Sequence, residues 1–280
     1  MGSKILRKEQ LAPEIFLMEL NAPEIARKHR AGQFIILRVN DKGERIPLTV
    51  ADKNPEKGTI TLIFQVVGKT TMMLSDLSVG DEISDLVGPL GNPTEVEYFG
   101  TVVCIGGGVG VAPLYPIAKA LKQAGNHLVS IIGARSANLL ILEEEINAIS
   151  DRLEITTDDG SKGFHGFVSE VLKKMIDRGE KIDLVIAIGP VPMMKAVVKL
   201  TKETGLKTIV SLNPIMIDGT GMCGGCRVLV GGQTKFACVD GPEFDGQLVD
   251  FDNLTARLKT YREMEDLAKE HYCELRRKGQ

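Results

Sequence analysis

The sequence contains little that would direct it to a membrane or out of the cell. Its first residues include no apolar segment of the kind found in secretion signals, and no apolar run reaches the roughly 18 residues that span a bilayer. We therefore expect a cytoplasmic protein that binds no membrane. An excess of positive charge is also absent, since the net charge is -3, so no nucleic acid partner is expected. The cysteines are five, an odd number that argues against a disulfide framework.

Length and composition predict a globular chain with more than one domain. The 280 residues are 43% hydrophobic and 25% charged, which leaves room for two compact domains and a small module. The predicted fold class is α+β multidomain, in four segments. They are an antiparallel β-barrel at residues 1–97, a doubly wound parallel α/β domain at residues 98–212, a cysteine-rich cluster module at residues 213–250 and an amphipathic helix at residues 251–280.

Residues 213–241 are the most informative stretch. Cys223, Cys226 and Cys238 fall there with the spacing C-x2-C-x11-C, among closely spaced glycines. Plant-type 2Fe-2S clusters are held by C-x4-C-x2-C and a distant fourth cysteine, and Asp218 stands where the first of these cysteines would be. Because a carboxylate oxygen can bind iron, the pattern predicts a 2Fe-2S cluster held by Asp218 and the three cysteines.

Other interpretations of this stretch stay open. A structural zinc ion also accepts three cysteines and one aspartate, and three reduced buried thiols would need no metal. Asp218 is alternatively a turn residue, because Asp-Gly is a common turn dipeptide. Cys104 and Cys273 lie outside the spacing and are expected to be ordinary thiols.

The barrel segment carries two features that suit a phosphate ligand. A short helix predicted at residues 69–77 follows Gly68, and helix N-termini bind phosphate oxygens well. Arg45 precedes a strand that carries Thr49, and its guanidinium could pair with the same pyrophosphate. Taken alone, Arg45 is better explained as a solvated charge and the GKTT sequence as a plain turn. Their occurrence together, ahead of a nucleotide domain, favours a ligand site.

The α/β segment opens with an apolar strand at residues 102–105, the glycine-rich turn GGGVGVAP and an apolar-periodic helix. This is the pattern of a first βα unit in a parallel sheet. The later strand ends, at residues 133–136, 157–160 and 189–194, are expected along one sheet edge, where open α/β folds bind ligands. The turn is not the usual G-x-G-x-x-G, so alone it is a weak signal, and each loop is alternatively a plain connection.

The last 30 residues predict one helix. Its apolar stripe comprises Leu254, Leu258, Tyr261, Ala268, Tyr272 and Leu275. Such a stripe must be buried, and the sequence leaves open whether it docks onto its own chain or onto a partner subunit.

Three features now stand in order: an R-x-P-[LI]-[TS] strand in a barrel, a nucleotide domain with GGGVGVAP and later GPVPMM, and the cysteine loop. In this combination essentially the whole chain resembles the ferredoxin-NADP reductase superfamily, near the dihydroorotate dehydrogenase electron-transfer subunit. With Asp218 in place of a cysteine, it is most similar to the branch that includes the small subunit of NADH-dependent ferredoxin:NADP oxidoreductase, or sulfide dehydrogenase. One departure is that Leu48 replaces the aromatic residue of the R-x-Y-[ST] strand, while Arg45 lies one position early.

The resemblance implies three cofactors and no catalytic side chain. FAD would contact Arg45, Pro47, Leu48 and Thr49 with its isoalloxazine and ribityl, and Val67, Gly68, Thr70 and Thr71 with its pyrophosphate. NAD(H) would lie over Gly107, Gly108, Val109, Gly110, Val111, Ala112 and Pro113, with Gly133, Arg135, Asp158, Gly189, Pro190, Met193 and Met194 around its other parts. The 2Fe-2S cluster would be held by Asp218, Cys223, Cys226 and Cys238.

The resemblance also implies an NAD-dependent oxidoreductase subunit in which a flavin joins two-electron and one-electron chemistry. It implies a heterodimer whose larger flavin and iron-sulfur subunit contacts ferredoxin and NADP(H) in electron bifurcation. An electron-transfer subunit of dihydroorotate dehydrogenase and a zinc-stabilised nucleotide-binding regulator are the alternatives. NADH is expected rather than NADPH, although Arg135 and Ser136 could receive a 2'-phosphate.

Overall fold

The structure is a computed structural model that describes residues 2–41 and 43–278. Its first part is a nearly closed antiparallel barrel, as predicted, in which the strand order is β6-β1-β2-β5-β4-β3-β7. Two short helices, α1 (Pro23–Lys28) and α2 (Lys69–Asp76), interrupt the strands. The strands are β1 (Ser3–Ala12), β2 (Ile15–Asn21), β3 (Phe34–Arg38), β4 (Arg45–Asn54), β5 (Thr59–Gln65), β6 (Glu82–Ile83) and β7 (Asp85–Leu90).

The second part is a parallel sheet with helices on both faces, which also confirms the prediction. The sheet order is β11-β10-β9-β8-β12-β13, and a short antiparallel strand at residues 243–245 completes the edge beside β13. Its strands are β8 (Thr101–Gly107), β9 (His127–Ala134), β10 (Arg152–Thr157), β11 (Phe164–His165), β12 (Leu184–Ile188) and β13 (Thr208–Ser211). Its helices are α3 (Val111–Gln123), α4 (Glu143–Ile149), α5 (Val168–Asp177) and α6 (Val191–Thr204).

The cysteine-rich segment follows β13 and returns to the same sheet. It contains the hairpin of β14 (Arg227–Val230) and β15 (Gln233–Phe236), and then β16 (Glu243–Asp245), which pairs antiparallel with β13. The hairpin turn is Gly231–Gly232, with φ values of 58° and 74°. Both values are positive, as a two-residue type I′ hairpin turn requires, and glycine adopts them without strain.

Two helices end the chain where the sequence predicted one. They are α7 (Phe251–Leu258) and α8 (Arg262–Lys278). Phe251 and Leu254 bury α7 against the cluster module and nucleotide domain. The chain then turns at residues 259–261, and α8 packs across α2 of the barrel. The prediction of one helix with a single buried apolar stripe was therefore wrong. Tyr261 and Leu275 stay exposed, while Ala268 and Tyr272 are half-buried.

The barrel and the nucleotide domain share a buried interface. On β5, Ile60, Leu62 and Phe64 point into the barrel core, as their alternation predicts. Ile63 lies on the opposite face and is still only 6% exposed, because Val111 and Ala112 of α3 cover it. The shared cluster therefore packs the barrel and the α/β part against each other. In the described part of the chain, no helix is long and apolar enough to cross a membrane.

Candidate functional site

The carboxyl edge of the parallel sheet has its switch point between β8 and β12. The connections after these strands touch each other there: a Cβ added to Gly107 would lie 2.3 Å from Met193 Sδ, and one added to Gly110 would lie 2.4 Å from the Ile188 carbonyl oxygen. At Gly110, where the neighbouring atoms belong to the main chain, only glycine permits this approach, whereas the Met193 side chain beside Gly107 could move. Gly108, at φ 55°, has open space on the side of a Cβ. The two loops therefore meet at the switch point, which is where doubly wound folds bind dinucleotides.

The other residues predicted for the nucleotide site fall into two groups. Val111, Ala112 and Met194 are buried, so their side chains pack and only their main chain could reach a ligand, while Val109 and Pro113 are half-buried. Gly133 is buried too, since a Cβ there would lie 2.5 Å from Val168 Cγ1. The second group is exposed.

The exposed members of the predicted site lie at the edge itself. Arg135 and Asp158 follow the neighbouring strands β9 and β10, in which Ala134 pairs with Thr157, so the two residues lie side by side. Pro190 is exposed on the β12 loop and Gly189 is half-buried. The structure thus brings the exposed residues of three strand ends to one surface.

On the barrel, the start of β4 lies beside the N-terminus of α2. The Thr70 hydroxyl donates a hydrogen bond to Glu44 Oε2 at 3.1 Å, directly before Arg45. β5 pairs only with the second half of β4, from Val50 to Asn54, so the half that carries Pro47, Leu48 and Thr49 has its other edge available. The Thr71 hydroxyl accepts the N–H groups of Val67 and Gly68 and caps the helix. The start of β4 and the N-terminus of α2, which carry the predicted residues, therefore lie next to each other.

The cluster loop brings two of its three predicted sulfur ligands together. Cys226 Sγ and Cys238 Sγ lie 3.1 Å apart, and both residues are buried. Burial and the neighbouring Cys226 thiol raise the pKa of Cys238 to about 12, so a bound metal ion would be needed to hold it as thiolate at neutral pH. Cys223 is exposed, and its sulfur accepts the Gly225 N–H at 3.4 Å.

The carboxylate of Asp218 closes the same loop through main-chain hydrogen bonds. It accepts the N–H of Cys223 at 2.9 Å, of Met222 at 3.0 Å and of Thr220 at 3.2 Å. Although burial raises it, these hydrogen bonds bring the pKa of Asp218 down to about 2. Among residues 2–41 and 43–278, no three His, Cys, Asp or Glu side chains stand ready to hold a metal ion. In this structure the Asp218 carboxylate closes the turn that leads to Cys223.

The cluster loop packs directly against the barrel. A Cβ on Gly219 would lie 2.6 Å from Leu90 Cδ1 and 2.9 Å from Ile36 Cγ1. Ile36 and Cys226 belong to one hydrophobic core. Asn92 adds hydrogen bonds to the carbonyls of Val239 and Gly241. The segment with the cysteines is therefore fixed to the wall of the barrel.

Three family models match consecutive parts of the chain. They are the oxidoreductase FAD-binding domain at residues 3–94, the oxidoreductase NAD-binding domain at residues 104–199 and the iron-sulfur cluster binding domain of dihydroorotate dehydrogenase B at residues 213–250. A Thermotoga maritima homologue of the dihydroorotate dehydrogenase B (NAD(+)) electron transfer subunit is 51% identical over 270 residues, which cover 96% of this chain and 95% of that one.

The chain belongs to the dihydroorotate dehydrogenase B electron-transfer subunit family. Another member, from Desulforamulus reducens, is 34% identical over 86% of this chain and 95% of its own. A solved chain of the NADH-dependent reduced ferredoxin-NADP oxidoreductase, reported for its insight into flavin-based electron bifurcation, is 50% identical, with a TM-score of 0.92 over 98% of both chains. The ferredoxin-NADP reductase-like fold and the oxidoreductase class predicted from the sequence are thereby confirmed.

As a member of this family, the chain has FAD-, NAD- and iron-sulfur-binding domains, which confirms the three predicted cofactors. The residues fit these groups. At the N-terminus of α2, Gly68 has open space around it and Val67 is 65% exposed, so the residues predicted for the FAD pyrophosphate leave room for a ligand. The cluster loop carries three thiols and a carboxylate, which are donor types that iron accepts, but in this structure only the Cys226 and Cys238 sulfurs lie together, so Cys223 and Asp218 would have to move to join them.

Sequence reasoning missed several residues of these sites. Glu44 and Lys69 form an ion pair of 3.9 Å beside the N-terminus of α2. Arg257 of α7 donates to the Gly225 carbonyl of the cluster loop, and Tyr272 of α8 lies beside Lys69. The GKTT sequence pointed to Lys69. No local sequence pattern connects Arg257 with the cluster loop or Tyr272 with α2, because these segments are far apart in the sequence.

Proposed function

We propose that this chain is the NAD(H)-binding subunit of an electron-bifurcating NADH-dependent ferredoxin:NADP oxidoreductase. Its flavin and cluster would supply the coupling of hydride transfer to single-electron transfer. The chain's own residues would bind and orient the three groups. The larger subunit of the heterodimer, with further redox centres, would contact ferredoxin and NADP(H).

The packing of the cluster loop on the barrel is the observation that carries this proposal. Gly219 rests on the Leu90 and Ile36 side chains, at a φ of 73° that glycine adopts without strain. The loop also exposes Met222 (89%) and Ile217 (51%) on its outer surface. A cluster held here would have the flavin domain on one side and an exposed apolar surface for a partner subunit on the other.

Two further observations support the bifurcating assignment. The likeness to the bifurcating oxidoreductase chain spans 98% of both chains, which includes the cluster loop. Asp218 stands at the predicted position of a fourth ligand, as in the branch that the sequence resembles. We propose the predicted residues as the contacts of each group, and the divisions after residues 97, 212 and 250 as domain boundaries.

A second candidate is the electron-transfer subunit of a dihydroorotate dehydrogenase. Relatives of that name match 79–88% of this chain at 30–34% identity, and the Thermotoga maritima homologue matches 96% of it at 51%. In that case the same three sites would pass electrons from a dihydroorotate-oxidising partner to NAD. A zinc-stabilised regulator is not retained, because the cysteine segment matches an iron-sulfur cluster domain.

Purification of the native complex with its partner decides between these functions. Under anaerobic conditions, bifurcation predicts that NADPH is oxidised only when both NAD and oxidised ferredoxin are present. Two NADPH then supply four electrons. Two of these electrons reduce one NAD, and the other two reduce two ferredoxins, one electron each. Oxidation of dihydroorotate with NAD, and no such NADPH reaction, would establish the second candidate instead.

We also propose that NADH is the nucleotide of this chain. Asp158 lies beside Arg135 at the strand ends, and its carboxylate would repel a 2'-phosphate that Arg135 attracts. NADH should therefore reduce the flavin of the isolated chain faster than NADPH in stopped-flow absorbance. Faster reduction by NADPH would overturn the assignment.

A further inference from the structure

A cavity of about 440 Å³ opens beside the N-terminus of α2, between that helix, the β3–β4 connection and α8. It is lined by Asn40, Asp41, Lys69, Met73 and Tyr272. We propose that this cavity receives the adenosine half of FAD, and that Tyr272 makes the C-terminal helix α8 its outer wall. The inference rests on the proposed flavin site and adds to it a segment that lies almost 200 residues away in sequence.

The position of the cavity follows from the path that a dinucleotide must take. With its pyrophosphate at Gly68 and Thr71, FAD would extend its isoalloxazine along β4 and its adenosine in another direction. Lys69 and Met73 are one helical turn apart on α2, so the face that they share begins next to the pyrophosphate position. The cavity lies on this face, and its volume is within the range of small-molecule sites.

The lining groups suit an adenosine phosphate. The Tyr272 ring offers a flat face for a purine, and stacking on an aromatic ring strengthens base binding about 5- to 150-fold. Met73 adds a polarisable side wall. The Lys69 ammonium can balance a phosphate, and the Asp41 carboxylate can accept a hydrogen bond from a ribose hydroxyl or an exocyclic amine.

Polar contacts hold α8 over the cavity. The Tyr272 hydroxyl donates to Asp76 Oδ2 at 2.9 Å, Arg276 lies 2.7 Å from Asp76 Oδ1, and Lys269 Nζ donates to the Val67 carbonyl at 3.3 Å. Every residue from Arg262 to Lys278 keeps some exposure. Since exposed ion pairs stabilise little, α8 is held weakly by its own contacts, and a purine against Tyr272 would hold it more firmly.

FMN has the same isoalloxazine and a phosphate but lacks the adenosine. A comparison of FAD binding with FMN binding therefore isolates the contribution of the cavity. The experiment titrates the full chain, freed of flavin, with FAD and with FMN in a calorimeter. Tyr272→Ala is expected to weaken FAD binding about 10-fold and to leave FMN binding unchanged. Tyr272→Phe, which keeps the ring, should bind FAD nearly as well as the unaltered chain.

Leu275→Ala is the matched control, because Leu275 lies on α8 at 52% exposure and outside the cavity lining. It should bind both flavins normally. Hydrogen exchange gives a second readout: FAD should protect the amides of α8, and FMN should not. Equal loss of FAD and FMN binding in Tyr272→Ala, or unchanged FAD binding, would overturn the inference. If the unaltered chain bound neither flavin, the proposed function would fail instead.

Discussion

The nucleotide edge and the cluster loop are built in opposite ways. At the edge, main-chain packing positions the loops: those after β8 and β12 meet at Gly110, and the space in front of Gly108 is open. In the cluster loop, side chains do it: Cys226 lies against Cys238, and Asp218 binds the loop's amides. The first site depends on backbone packing, so the fold alone specifies it. The second depends on its donors, so metal binding and local structure are coupled there.

The largest expected effect is the loss of the cluster in Cys226→Ala. The variant removes a buried thiol that no neighbouring donor can replace, since Cys104 lies in β8 and Cys273 in α8. Iron and sulfide analysis should find most of the cluster gone, while FAD content and reduction by NADH persist. Cys273→Ser is the control and should keep its iron. A Cys226→Ala protein with normal iron content would show that Cys226 is a packing residue.

A substitution at the nucleotide edge should destabilise the fold even when no ligand is bound. In Gly110→Ala the new methyl group would lie 2.4 Å from the Ile188 carbonyl oxygen and 2.7 Å from Gly189 Cα, and backbone atoms yield little. We expect a loss of about 1–3 kcal/mol in the free energy of unfolding, measured by denaturant titration, together with slower flavin reduction by NADH. An unchanged stability would mean that the two loops can separate at no cost.

Gly108→Ala tests nucleotide binding at the same edge with less disturbance of the packing. Its methyl group enters open space, so only the positive φ penalises it, by about 1 kcal/mol. The methyl group would, however, stand where a pyrophosphate approaches the main chain. Binding of NADH should therefore weaken at least as much as in Gly110→Ala, with a smaller loss of stability. If NADH binding stays normal, Gly108 does not face the nucleotide.

The sequence predicted the features that depend on local patterns and missed those that depend on contacts between distant segments. The βα units and the barrel repeat strong local periodicities, and the glycine turn and cysteine spacing are local motifs, so both could be found without coordinates. The break at residues 259–261 could not, because Leu254, Leu258 and Tyr272 fit one helical stripe and only docking on α2 separates them. Ile63, Glu44 and Tyr272 were missed for the same reason, since their surroundings come from distant segments.

A third test asks whether Asp218 is an iron ligand or only a turn residue. Asp218→Asn keeps an oxygen acceptor for the amides of Met222 and Cys223 but is a much poorer iron ligand. Asp218→Ala should lose or destabilise the cluster, and Asp218→Cys should keep a 2Fe-2S cluster with an altered spectrum and potential. If the Asn and Ala variants both retain normal iron content, paramagnetic resonance spectrum and potential, the carboxylate serves the turn alone.

The smallest effect is expected at Glu243, on β16 between the two regions. Its carboxylate accepts the Thr94 hydroxyl at 2.6 Å, and burial raises its pKa. A raised folded pKa means that the native state prefers the protonated acid. Stability from this group is thus greatest below the ordinary glutamate pKa of about 4.3 and is lost as pH rises through the raised value.

Glu243→Gln removes that dependence, because its amide oxygen still accepts the Thr94 hydroxyl and never ionises. The variant should melt slightly higher than the unaltered chain at pH 7, and the difference should shrink as the pH falls toward 4. Glu56→Gln, at an exposed turn, is the control and should show no such trend. A variant less stable at pH 7 would mean that the charged carboxylate is favourable where it stands.

Addition of NADH to the isolated chain, loaded with flavin and cluster, tests the central claim most directly. Under anaerobic conditions, flavin absorbance and low-temperature electron paramagnetic resonance are recorded together. If this chain relays electrons from NAD(H) to its cluster, the flavin band should bleach and the signal of a reduced 2Fe-2S cluster should appear, and the signal should be missing in Cys226→Ala. Bleaching of the flavin while an intact cluster stays oxidised would contradict the account.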